Sequence, residues 1–157
     1  MEQDMMVADK ASKRPSFVKV FACKCPRCRR GDMFADKNPY HLKRTMKMNV
    51  HCPVCNQPFD LEVGFYYGSG YVSYALSVAI SVASLVAWFL TIGMGLYDNR
   101  FIYWLVANGV LLVALQPILM RLARSIWIAF FVGYDDNWQQ HAPKEPERVN
   151  KDFTNAW

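Results

Sequence analysis

The sequence predicts a small metal-stabilised β ribbon, followed by an α-helical transmembrane hairpin and a C-terminal interfacial helix. Two observations predict this fold class. Four of the five cysteines occur in two Cys-Pro-x-Cys motifs, Cys25–Cys28 and Cys52–Cys55, which are separated by 23 residues. These motifs are followed by two apolar runs without a charged residue, 71–96 and 101–120.

Composition separates the chain into a polar and an apolar part. Of its 157 residues, 53% are hydrophobic and 15% aromatic, which is high for a soluble protein. Residues 1–70 contain 12 Lys/Arg and 7 Asp/Glu. Between 71 and 134 the charged residues are Asp98, Arg100, Arg121 and Arg124 alone, so the net charge of +5 arises mainly near the start.

Four regions follow from this pattern. Residues 1–16 are polar and lack the apolar core of a secretory signal, so we expect a disordered lead-in. Residues 17–63 are predicted to form a cytoplasmic zinc-ribbon domain. Residues 64–134 are predicted to contain the two spans, with an amphipathic helix at 121–133. Residues 135–157 are predicted to form a polar cytoplasmic tail.

The spacing of the cysteines predicts a zinc site. Two C-x2-C pairs separated by roughly 15 to 25 residues are typical of zinc ribbons, since each pair supplies two thiolates to a tetrahedral ion. We therefore expect Cys25, Cys28, Cys52 and Cys55 to bind one Zn²⁺. Four protein ligands leave no coordination position for water or substrate, so we expect a structural site and no enzymatic activity.

Other interpretations of the cysteines remain open. The same thiolates could hold iron, as in rubredoxin, and a membrane-anchored electron-transfer protein is the alternative function. Thiol redox chemistry is a third interpretation. Rubredoxin-like motifs usually continue with Gly, whereas Arg29 and Asn56 follow the second cysteine of each pair here. Cys23 is an alternative first ligand, and His41 and His51 are interpreted as flanking surface residues.

Basic residues flank both cysteine pairs. They either offset the net charge of minus two on a zinc with four thiolates or form a solvated basic surface: Lys24, Arg27, Arg29, Arg30 and His51. A nucleic-acid partner would use a similar set: Arg27, Arg29, Arg30, Lys43, Arg44 and Lys47. Nucleic acid is disfavoured, because membrane topology and anionic lipid already account for such a cluster.

The apolar runs predict two membrane spans. The 26 residues of 71–96 would form a helix of about 39 Å, enough to cross a ~30 Å hydrocarbon core with tilt. The link to 101–120 is short, so the spans should form an antiparallel hairpin. Positive residues flank this hairpin on one side, which places both termini in the cytoplasm. A reducing cytoplasm also keeps thiols available for metal.

The pattern changes after Pro117. Apolar residues then fall near one helical face, while Arg121 and Arg124 lie elsewhere. This favours either a kinked continuation of the second span or an amphipathic helix at the membrane interface. A third crossing is disfavoured, because the arginines would have to enter lipid.

Small residues recur every fourth position along the first span and predict close helix packing. One set is Ala75, Ala79, Ala83 and Ala87, and the other is Ser73, Ser77 and Ser81. The chain supplies one neighbouring helix, so we expect the remaining face to bind a larger membrane protein complex. The spans contain no ionisable residue, which disfavours transport and gives no indication of a small-molecule substrate.

Several motifs resemble the bacterial domain-of-unknown-function family nine-eight-three. They are Cys25–Cys28 with Gly31 and Phe34, Cys52–Cys55 with Phe59, Glu62–Gly68, Tyr71–Tyr74, Arg124–Trp127 and Tyr134. The chain departs from the family pattern at Val63, where Pro is usual, and at Ser69-Gly70, where Ala-Met is usual. The resemblance implies a two-span inner-membrane protein with a cytoplasmic zinc ribbon. Some relatives are encoded near cytochrome oxidase assembly genes, so we expect an accessory or assembly subunit, with a respiratory complex as one candidate partner.

Overall fold

The computed structural model describes residues 16–93 and 99–146. A short helix α1, Val18–Phe21, precedes the cysteine pairs. A 3-10 turn, Phe65–Gly68, leads into α2, Ser69–Thr91, and α3 covers Arg100–Phe131. Three predicted parts lie outside these residues: the lead-in apart from Ser16, residues 94–98 at the end of the first span and the start of the link, and the tail after residue 146.

The two long helices pack against each other as an antiparallel pair. Ser84 of α2 bonds to both Trp104 and Asn108 of α3, and Gly68 lies against Trp127 at the other end of the pair. Each helix is long and apolar enough to cross a membrane. At 1.5 Å per residue, the 23 residues of α2 measure about 35 Å, whereas the 32 residues of α3 measure about 48 Å.

The length of α3 decides between the two alternatives for residues 121–133, of which 121–131 continue the second long helix and do not form a separate C-terminal helix. The predicted second span and the predicted amphipathic helix 121–133 form one helix, which continues through Pro117 to Phe131. Pro117 cannot donate the backbone hydrogen bond that the Val113 carbonyl would accept in a regular helix. One residue further along, the Ala114 carbonyl accepts from the Tyr40 hydroxyl at 3.2 Å. Beyond Pro117, Arg121 and Arg124 donate to backbone carbonyls of the cysteine domain.

The cysteine domain, residues 17–63, has no β-strand among its residues, so the predicted β ribbon is not confirmed. It contains three isolated antiparallel bridges instead: Lys24 with Asp32, Phe34 with Met48, and His51 with Pro58. The first and third bridges each close one cysteine loop, which leaves few residues for a longer ladder. Beyond the Phe34–Met48 bridge the chain separates into a loop at 36–45.

The last turns of α3 complete the core of the cysteine domain. Phe59, Met33 and Ile128 are at most 1% exposed, and Ile128 belongs to α3. The indole N–H of Trp127 donates to the Phe65 carbonyl at 2.7 Å. Burying one large apolar side chain contributes about 1.5 to 3 kcal/mol, so a domain this small gains much of its stability from the helix.

Gly68 and Gly70 provide a matched test of this contact. A Cβ at Gly68 would lie 2.0 Å from the Trp127 ring, whereas a Cβ at Gly70 would meet nothing within 4 Å. We expect Gly68→Ala to destabilise the protein by about 1 to 3 kcal/mol through overpacking. Gly70→Ala should be neutral or slightly stabilising. Thermal unfolding in mild detergent measures both, and equal stability of the two variants would contradict the packing.

Candidate metal centre

The four sulfurs of the two cysteine pairs lie together in the core of the cysteine domain. All four Sγ atoms are within 4.8 Å of one another. The Cys25–Cys55 and Cys28–Cys52 sulfur distances are both 3.7 Å, far longer than a disulfide bond of about 2.05 Å. A tetrahedral ion with Zn–S bonds of about 2.3 Å places its sulfurs about 3.8 Å apart. The cluster therefore has the dimensions of a four-thiolate metal site.

Backbone geometry directs N–H groups at these sulfurs. The Val54 N–H donates to the Cys52 sulfur at 3.5 Å. Backbone N–H groups beside all four sulfurs act to lower the pKa of the thiols: Cys28 for Cys25, Gly31 for Cys28, Cys55 for Cys52 and Gln57 for Cys55. Such donors stabilise negative charge on a sulfur. The turns thus favour thiolates before any side chain contributes.

The proximity of the sulfurs prevents all four thiols from ionising on their own. Hydrogen bonds with the other sulfurs raise the pKa of Cys25 and lower the pKa of Cys28. The pKa of Cys52 is lowered to about 7, chiefly by its hydrogen bond with Cys25. Protons are therefore shared unequally among sulfurs that repel one another as anions. A divalent cation would remove this repulsion and hold all four as thiolates, so the residues fit a metal.

Arg29 and Asn56 adopt the backbone conformation that glycine favours. Their φ values are 54° and 55°, in the left-handed region. The residues after the two cysteine pairs thus differ from the Gly of the rubredoxin pattern, but they keep the positive φ of that position. Asn tolerates this region through local hydrogen bonding, whereas Arg has no such compensation.

Gly31 allows the two cysteine pairs to approach each other. A Cβ at this position would lie 2.3 Å from the Cys52 sulfur. The family resemblance includes Gly31, but no local sequence signal indicated this contact. Only the three-dimensional approach of the second pair makes a side chain impossible here.

The alternative ligands lie outside the cluster. Cys23 is half-buried against the core but is not among the grouped sulfurs, and burial raises the pKa of its thiol. His51 and His41 are exposed. His41 instead pairs with Asp36 at 2.6 Å, and this hydrogen bond holds the pKa of the Asp36 carboxyl below its usual value.

Arg27, inside the first cysteine pair, binds the C-terminal segment. It is 4% exposed. Its guanidinium donates to the carbonyls of Trp138, His141 and Ala142 at 3.3, 2.6 and 3.0 Å. The Asp135 carboxylate is 3.5 Å away. Arg27 is therefore a buried structural cation, which the sequence interpretations of a charge offset or a solvated surface did not anticipate.

Gln57, just after the second cysteine pair, holds the same C-terminal segment at a second point. Its side chain is fully buried. The amide nitrogen donates to the Lys144 carbonyl at 3.0 Å, and the amide oxygen accepts from the Lys144 backbone N–H at 3.0 Å. Residues 135–144 thus cross both cysteine pairs. We call this segment the tail strap, and no local sequence signal indicated it.

Two arginines of α3 join the helix to the cysteine domain. Arg121 donates to the carbonyls of Thr45 and Asp36 at 2.7 and 2.8 Å, and its guanidinium lies 4.8 Å from the Phe34 ring. Arg124 donates to the Met46 carbonyl at 3.3 Å. From the sequence these arginines were interpreted as charges that stay out of lipid, but both are less than 10% exposed and bind backbone carbonyls.

The two small-residue faces of α2 have different surroundings. Ser81 and Ser84 bond to the Asn108 amide of α3 at 3.2 and 2.9 Å. Ser73 and Ser77 are half-buried on the same side. The alanines are exposed: Ala75, Ala79, Ala83 and Ala87. Asn108 of α3 therefore forms hydrogen bonds between the two long helices, and it occupies the serine face.

No curated protein and no solved structure matches this chain. A family model described as "Protein of unknown function (DUF983)" matches residues 42–131. The matched residues run from the loop of the cysteine domain through the second cysteine pair and both long helices, more than half of the chain. The first cysteine pair precedes the match, but its sulfurs complete the cluster formed with the second pair. The chain belongs to the DUF983 family of proteins of unknown function.

Proposed function

We propose that this protein is a non-enzymatic integral protein of the bacterial inner membrane, in which a structural zinc site organises a cytoplasmic domain. It acts as an accessory or assembly subunit that docks on a larger membrane complex, with a respiratory complex as one candidate. The observation that supports this most is the closed cluster of four buried sulfurs. Cys25, Cys28, Cys52 and Cys55 are at most 7% exposed.

A zinc ion in this cluster would have a structural role. Four thiolates complete its tetrahedral shell, so no position remains at which a water or a substrate could be activated. Metal binding stabilises comparable zinc-finger peptides by ~10 to 16 kcal/mol. The tail strap and α3 both pack on the domain that the cluster organises, so the benefit of binding extends beyond the cysteine pairs themselves.

Zinc is favoured over iron by the surroundings of the sulfurs. Electron transfer requires a redox centre whose edge a partner can approach. The tail strap instead crosses both cysteine pairs through Arg27 and Gln57. Iron bound by four thiolates would be visibly coloured, so the same purification distinguishes the alternatives.

The membrane placement follows from the lengths and the register of the helices. Residues 101–120 of α3 measure about 30 Å, the thickness of a hydrocarbon core. They lie beside the part of α2 that begins near Tyr71. Tyr67, Tyr71 and Tyr74 are all more than 70% exposed, as expected of an aromatic belt at a membrane interface. The cysteine domain then lies on the cytoplasmic side.

Docking on a partner is assigned to the alanine face of α2. The serine face already binds α3 through Asn108, whereas the alanines are exposed on α2. Small residues allow the backbones of two helices to approach closely in a membrane, and the resulting contacts drive association. A single helix of the larger complex would be enough to pack against this face.

The metal site is tested by two cysteine variants. We expect the purified protein to be colourless with one zinc per chain, measured by elemental analysis. Cys52→Ser should lose the zinc and become sensitive to proteolysis, because three thiolates no longer close the shell. Cys23→Ser is the matched control and should keep its zinc. Full zinc in Cys52→Ser, or an iron–thiolate spectrum in the parent, would sink the proposal.

The docking face is tested by two pairs of leucine substitutions. Ala79→Leu with Ala83→Leu should leave the folded, zinc-loaded protein intact but release it from a larger complex on native gels. Ser77→Leu with Ser81→Leu should lower the protein level, since it breaks the Asn108 contact and overpacks the hairpin by about 1 to 3 kcal/mol. A parent protein that migrates alone in mild detergent would rule out stable docking.

The topology is tested by reporter fusions. Alkaline phosphatase fused at Asn99, between the spans, should be active because it reaches the periplasm. The same enzyme fused at Trp157 should be inactive, and green fluorescent protein at that position should fluoresce. Phosphatase activity from the Trp157 fusion would overturn the orientation and the argument for reduced thiols.

A further inference from the structure

One loop of the cysteine domain rises along α3 toward the proposed membrane. Both ends of this loop, residues 36–45, are held by Arg121, through the carbonyls of Asp36 and Thr45. Its Tyr40 hydroxyl reaches the Ala114 carbonyl at 3.2 Å. Ala114 precedes Arg121 by seven residues, or about 10 Å along the helix axis. The loop therefore extends beyond the level at which the charge-free part of α3 begins.

The exposed tip of this loop combines apolar and cationic side chains. Leu42 is 76% exposed and Tyr40 is 53% exposed. Lys43 and Arg44 follow directly and are also exposed. Neither cation forms an ion pair with another described residue. Residues 40–44 together line a shallow cavity on the loop surface.

We infer that this loop binds an anionic phospholipid in the cytoplasmic leaflet. Leu42 inserts among the acyl chains, and Lys43 and Arg44 bind the headgroup phosphate. Amphipathic surfaces with basic residues beside apolar ones bind anionic membranes in this way. The inference rests on the proposed membrane placement of α2 and α3, because that placement sets the depth of Ala114.

The position of the loop favours a lipid over a soluble anion. A soluble anion would bind the two cations but would leave the Leu42 side chain exposed to water. The hydrogen bond between Tyr40 and Ala114 places the tip beside the apolar part of α3, where acyl chains would lie. A lipid satisfies both the apolar and the cationic side chains with one molecule.

Photo-crosslinking in proteoliposomes tests the inference. The full chain carries p-benzoylphenylalanine at one of three exposed positions: Leu42, Val82 in α2, or Gln139 in the tail strap. The vesicles contain equal parts of phosphatidylcholine and phosphatidylglycerol, and mass spectrometry identifies the adducts. We expect lipid adducts at positions 42 and 82 and none at 139. Phosphatidylglycerol should be enriched several-fold over phosphatidylcholine at position 42 relative to position 82.

The cations are tested in the same vesicles. Lys43→Gln with Arg44→Gln should abolish the enrichment of phosphatidylglycerol at position 42 while adducts at 82 persist. Excess inorganic phosphate should not change the enrichment of phosphatidylglycerol. If the enrichment disappears when phosphate is added, the site binds free phosphate and not a lipid. Adducts at 82 without any at 42, or without enrichment there, overturn the loop inference alone. No adduct at 82 overturns the membrane placement and the inference with it.

Discussion

The cysteine domain has to hold four mutually repelling thiolates within a few ångströms of one another, and this requirement determines its local backbone structure. Its sulfurs lie 3.7 Å apart in two pairs, yet the domain around them forms isolated bridges instead of strands. Backbone N–H groups of the two turns and a metal ion can offset the repulsion. Close approach then demands that Gly31 carry no side chain, because a Cβ would meet the Cys52 sulfur. The local backbone and the proposed metal thus both serve to hold the four sulfurs close together.

Buried arginines join this domain to the rest of the chain through carbonyl groups. Arg27 binds three carbonyls of the tail strap, and Arg121 binds both ends of the loop 36–45. Carbonyl oxygens accept hydrogen bonds from both guanidinium groups, and the Asp135 carboxylate adds an ion pair to Arg27. The last turns of α3 therefore serve as core and as connection between the cysteine domain and the hairpin.

The sequence allowed the cysteine cluster and the two apolar helices to be predicted, because ligand spacing and charge-free length are local properties. The β ribbon is not confirmed, since turn residues and spacing do not specify how many ladder pairs form. Pro117 and Arg121 alone did not indicate that α3 is continuous, because the loop 36–45 that contacts this part of the helix is distant in sequence. In that loop the Tyr40 hydroxyl donates to the helix, and the Thr45 carbonyl accepts from Arg121. Likewise, the repeats in α2 predicted two packing faces, but the position of Asn108 decides which one α3 occupies.

Hydrogen exchange with and without metal tests the central claim most directly, that the metal site organises the cysteine domain together with the end of α3. The zinc-loaded protein would be compared with the chelated protein in nanodiscs. We predict that chelation exposes amides of both cysteine pairs, of the tail strap and of residues 119–131 together, while α2 and residues 101–115 stay protected. Retained protection of residues 119–131 after complete metal removal would contradict the account.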